Sequence, residues 1–161
     1  MFLTGLTAFH VLLSLGGIVS GIVVALGLLT NRRLDGWTST FLVTTVLTNA
    51  TGFLFPVDRF MPSHAIAIVS LTTLTFAILA RHKFHMKGGW ARGYAITAII
   101  SLYFNVFVLV AQLFAKIPAL HALAPAQSSP AFAISQLAVL LVFVALGIRV
   151  TARSRRAVLV S

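Results

Sequence analysis

Charged residues are absent from five long stretches of this chain, 1–31, 36–57, 60–80, 93–115 and 117–148. A bilayer core of ~30 Å is crossed by about 20 mostly apolar residues in a helix, and each stretch is long enough. Read as helices, the stretches predict spans over roughly 3–29, 37–56, 62–81, 93–115 and 131–149. The expected fold is all-α, one integral membrane bundle of five transmembrane helices joined by short connections. The first stretch is longer than the apolar core of a secretory signal and no basic segment precedes it, so it reads as a retained span. The segment IPALHALAPAQSS at 117–129 is too short and too proline-broken to cross. It predicts a short interfacial helix or re-entrant lid.

Polar positions within the helices fall on stripes. At ~100° per residue, His10, Ser14, Gly17, Gly21 and Ala25 share one face of the first helix. Gly17 and Gly21 let another backbone approach closely, so this is the expected packing face. In the second helix Thr38, Thr45, Thr48, Asn49 and Gly52 lie together. Leu42, Val43, Val46, Leu47, Ala50, Phe53 and Leu54 form an apolar arc expected to face lipid. Tyr94, Ala98, Ser101, Asn105 and Gln112 make a narrow stripe on the fourth helix. Amides at membrane depth need partners, so Asn49, Asn105, Gln112 and Gln136 are expected to face inward and bond across helices. The same groups suit a hydrophilic pocket or a quinone headgroup site.

Charge sets the orientation. Arg32, Arg33, Arg81, Lys83, Lys87, Arg92, Arg149, Arg153, Arg155 and Arg156 fall on one side of the five predicted spans. Only Arg59 and Lys116 fall on the other. The positive-inside rule then places the N-terminus outside and the C-terminus in the cytoplasm. Within RHKFHMKGGWAR, the cations Arg81, Lys83, Lys87 and Arg92 sit with Phe84 and Trp90 in an interfacial belt suited to anionic lipid headgroups.

Composition agrees with lipid as the solvent: 161 residues, mean hydropathy +1.03, 59% hydrophobic and 9% charged. A soluble domain of this size could not cover so much apolar surface. The net charge of +10 is explained by span-flanking cations, so nucleic acid is not an expected partner. With no cysteine, disulfides, thiolate metal sites and thiol catalysis are excluded. Asp35 and Asp58 are the only acids, and both lie in connections. Intramembrane carboxylates are the usual parts of proton relays and cation-coupled carriers, so their lack counts against a pump or antiporter. No phosphate loop, nucleophile elbow or acid pair is present, and no catalytic residue is expected.

The histidines carry the remaining candidate chemistry. His10, His64 and His121 belong to the outer half by this topology, while His82 and His85 sit among inner-surface cations. Two imidazoles on different helices can grip a b-type haem, with Gly17 and Gly21 making room, and His10 with His64 is the candidate pair, His121 the substitute. Hydrogen-bonded packing explains a single histidine per helix more simply, and is the preferred reading. Asp58 near His64 admits an outer-face copper or zinc site, although no ligand spacing supports one and no metal is expected.

The segments RRLDGWTSTFLVTT, TGFLFPVDRFMPSH and YFNVFVLVAQLFAKIPALHALAP resemble a family of small uncharacterised polytopic membrane proteins of proteobacteria, over His10 to about Gln136. The resemblance implies a multi-pass protein of the bacterial inner membrane and carries no catalytic residue. Two function classes follow. One is a non-enzymatic protein acting through helix–helix contacts, as an accessory or assembly subunit or a small homo-oligomer. The other is a b-type haem or quinone module built on His10 and His64. A permease using the threonine- and asparagine-rich faces is less expected, since five spans show no inverted repeat.

Overall fold

A computed structural model of the chain describes residues 2–56 and 62–159, with side chains described at 3–56 and 63–153. The described residues are helical with no strand. In chain order they form α1 (Phe2–Leu29), α2 (Asp35–Gly52), α3 (Pro62–Ile78), α4 (Gly89–Lys116), α5 (Pro118–Leu123) and α6 (Pro130–Leu159). A π-helical turn, Leu79–Lys83, closes α3. Four helices are long and apolar enough to cross a membrane: α1, α3 with its π turn, α4 and α6. The chain is a multi-pass membrane protein. Predicted Asp58 and Arg59 lie outside the described residues, as do the side chains of Arg155 and Arg156.

Helix ends follow local chemistry. Asn31 adopts a left-handed φ of 55°, Arg32 N–H donates to Gly27 O at 2.8 Å, and Asn31 N–H to Leu28 O at 3.4 Å. This pair of bonds is a Schellman motif, and it turns the chain sharply so that α2 returns along α1. Pro118 and Pro130 open α5 and α6 at the first helical position, where a missing N–H costs nothing. The predicted lid segment therefore holds one short helix. α6 runs on to Leu159, ten residues past the expected end, because TARSRRAVL contains no helix breaker.

Packing proceeds around a ring. α1 lies on α2, α2 on α3, α3 on α4 and α4 on α1, while α6 packs on α4 and touches α1. The α1–α2 pairing is antiparallel along its whole length: His10 meets Thr51, Gly17 meets Thr45, Gly21 meets Phe41 and Gly27 meets Leu34. A Cβ on Gly21 would come within 2.6 Å of Leu102 and 2.9 Å of Phe41. Any larger residue would force Leu102 or Phe41 to move where three helices converge. Fully buried Phe41, Leu74 and Leu102 fill the ring.

Two expectations about helix faces are corrected. Leu42 is buried in the core, not turned to lipid. Positions 38, 42, 45 and 49 are spaced by four, three and four residues, so Leu42 lies on the same inward stripe as the threonines. Gln112 is exposed, not inward. Asn105 is level with Thr45 and the two helices run parallel, so Gln112 stands level with Gly52, where α2 ends and its wall is lost.

Candidate functional site

Four places in the bundle hold chemistry. The first is a polar girdle at mid-depth. Asn105 Nδ2 donates to Thr45 Oγ1 at 3.1 Å, joining α4 to α2. Asn49 Nδ2 donates to Thr45 O at 2.8 Å and Ser70 Oγ at 3.1 Å, joining α2 to α3. The hydroxyls of Thr73 and Ser101 share a bond of 2.9 Å, joining α3 to α4. Gly17 brings α1 against Thr44, Thr45 and Asn105. Asn49 and Asn105 face inward as their stripes predicted, but each finds a hydroxyl, not the other amide. Ser20 and most threonines bond to carbonyls of their own helices, which satisfies them without linking anything.

The second place is the outer end in the predicted topology. His10 Nδ1 lies 2.8 Å from Thr51 Oγ1, and its ring meets Phe55 edge-on at 5.3 Å. His64 stacks on Phe53, with centroids 5.4 Å apart and planes 19° from parallel. The two imidazoles are thus held by different residues of the α2 C-terminal end, one from α1 and one from α3. His121 is exposed on α5. The three candidate ligands are not gathered at one point. Among the described residues no group of three or more His, Cys, Asp or Glu could hold a metal ion.

The third is a groove between α4 and α6 of about 350 Å³, walled by Ile96, Ile100, Tyr103, Phe143, Gly147 and Ile148. Above it Gln136 reaches from α6 to Phe107 O at 3.0 Å, while its carbonyl oxygen is buried without a hydrogen bond. Gln136 does bond across helices as expected, to backbone.

The fourth is a small cavity of about 40 Å³ at the basic end, lined by Val24, Leu28, Arg32, Arg33, Leu34, Thr38, Arg81, Met86 and Tyr94. The Schellman turn delivers Arg32 and Arg33 to it. Arg81, largely buried, pairs with the exposed Asp35. Tyr94 is 2% exposed, and its hydroxyl has Thr38 and Arg81 beside it but neither in hydrogen-bonding geometry. Of the four predicted headgroup cations, Lys83 and Lys87 are exposed, Arg92 is half-buried and Arg81 is engaged by Asp35. Phe84 and Trp90 stack at 3.8 Å, capping the belt between them. Sequence reasoning missed Arg32, Arg33, Thr38 and Tyr94 as a group, because two separate helices and a turn contribute them. The available signal was a tyrosine one turn inside a span whose entry carries cations.

Comparison with protein-family models, with characterised proteins and with solved structures gives no match.

Proposed function

We propose that this chain is a five-span protein of the bacterial inner membrane, N-terminus outside and C-terminus cytoplasmic, that works through lateral contacts with other transmembrane helices. It serves a larger complex as an accessory or assembly subunit, or associates with itself. The observation that carries the reading is how the polar groups of the ring are used. Asn49, Asn105, Thr45, Ser70, Thr73 and Ser101 bond to one another, and His10 bonds to Thr51. Groups used to hold helices together are not offered to a substrate. What the molecule offers outward is apolar surface, above all on α6, where Ile134, Leu141, Val142 and Ile148 are each 60% exposed or more.

α2 supports the fifth span. Its contacts follow α1 from Gly27 to His10, a run of ~25 Å at 1.5 Å per residue, which is most of a bilayer core. The outer-minus-inner imbalance of Arg and Lys supports the orientation, as does the resemblance to proteobacterial inner-membrane proteins for the location.

The test is chemical crosslinking in native membranes followed by mild-detergent purification. A discrete homo-oligomer, or a constant companion present at fixed ratio, is expected. A lone monomer under every condition contradicts the reading.

A further inference from the structure

The cavity at the basic end has the parts of an anion site. Arg32 and Arg33 stand at its mouth, and Arg81 forms one wall. Asp35 neutralises only one of these three cations, so the rim keeps a net positive charge. Inside, the buried Tyr94 hydroxyl stands beside Thr38 and Arg81 without a well-formed hydrogen bond to either. An unpaired buried hydroxyl is costly, and it marks the point at which an acceptor oxygen belongs. α2 begins at the same wall: Leu34 lines the cavity, sits at the helix N-cap and supplies no side-chain cap. The first N–H groups of an 18-residue helix therefore add their partial positive charge nearby.

The dimensions narrow the occupant. About 40 Å³ accepts one or two oxygen atoms and no sugar or ring. Val24, Leu28, Leu34 and Met86 make the rest of the lining apolar. A ligand with a compact anionic head and a hydrocarbon body fits both features. Guanidinium forks match phosphate oxygens in a way that ammonium groups do not, and this lining contains arginine and no lysine.

We propose that Arg32, Arg33, Arg81, Thr38 and Tyr94 bind the phosphate group of an anionic headgroup, with the Tyr94 hydroxyl donating to a phosphate oxygen inside the cavity. Of the predicted belt of Arg81, Lys83, Lys87 and Arg92, Arg81 lines this cavity, which holds one molecule, while the other three attract anionic lipid generally. The phosphate reaches it either as a phospholipid headgroup or as a free ion.

Reconstitution in nanodiscs distinguishes the two. The full chain is placed in phosphatidylcholine alone, in phosphatidylcholine with phosphatidylglycerol, or in phosphatidylcholine with inorganic phosphate. Thermal stability and retained lipid, by native mass spectrometry, are read for each. One retained phosphatidylglycerol per chain with a raised melting temperature supports a lipid headgroup; a matching rise with inorganic phosphate supports a free phosphate. Tyr94→Phe should leave the melting temperature in phosphatidylcholine unchanged or higher, and weaken anion binding by ~10-fold. Arg32→Gln with Arg33→Gln should do the same, while Lys116→Gln, at the opposite end of α4, should bind as the parent does. Binding by Tyr94→Phe and the double arginine variant that equals the parent's overturns the proposal. So does a parent protein indifferent to both anions.

Discussion

α2 and α6 are opposites in both composition and position. α2 carries six threonines, Ser39 and Asn49 in eighteen residues, and it falls short of the hydropathy that marks a membrane-crossing helix. Yet seven of its side chains, Thr38, Phe41, Leu42, Thr45, Thr48, Asn49 and Thr51, are buried. The most apolar stretch of α6 is the most hydropathic among the four apolar spans, and only 11% of it is buried. In water the apolar helix would take the centre. In lipid the order reverses, because hydrocarbon is as good a neighbour for Leu141 as another leucine, whereas an amide must find a partner inside the bundle. Between these two helices, hydropathy follows contact with lipid and polarity follows contact with protein, whereas α1, nearly as apolar as α6, is the most buried of the four apolar spans.

The sharpest way to break this contrast is to fill the space that lets α2 approach α1. Gly21→Leu places a side chain where Leu102 and Phe41 already stand within 3 Å. A loss of about 3 kcal/mol or complete failure to assemble is expected, measured by unfolding in mixed detergent micelles. Removing one link of the polar girdle is milder. Asn105→Ala should cost about 1 kcal/mol in the same assay, since interhelical hydrogen bonds in bilayers are individually modest. Truncation on the lipid face of α6 should be milder again. Leu141→Ala, at 60% exposure, should change stability by less than about 0.5 kcal/mol, and its effect should appear instead in crosslinked partner yield. Equal losses for Asn105→Ala and Leu141→Ala would erase the distinction between the two helices.

Much of this was legible beforehand, and where it was not the reason is spatial. Charge-free stretches located each helix, and the inward stripes of α1 and α4 identified Gly17, Gly21 and Asn105 correctly, because helical period alone decides which face a residue shares. Leu42 turns inward by its helical angle, although its apolar chemistry among threonines suggests lipid. Gln112 was misjudged because the pattern continues past the point where its neighbouring helix stops. Partner identity was out of reach: nothing in the spacing of Asn49 and Asn105 says that each will meet a hydroxyl from another helix. The cavity around Tyr94 was equally hidden, since its walls come from 24–38, 81–94 and a turn whose left-handed Asn31 no pattern announces.

The most direct test of the account is whether α2 crosses the membrane. The chain has no cysteine, so single cysteines report topology without background. Thr4→Cys, Ser128→Cys, Lys87→Cys and Arg153→Cys are treated with an impermeant thiol reagent in right-side-out vesicles, before and after permeabilisation. Positions 4 and 128 should react from outside, and 87 and 153 only after permeabilisation. Labelling of positions 4 and 153 from the same side would give an even number of spans, and would place α2 outside the bilayer despite its buried polar face.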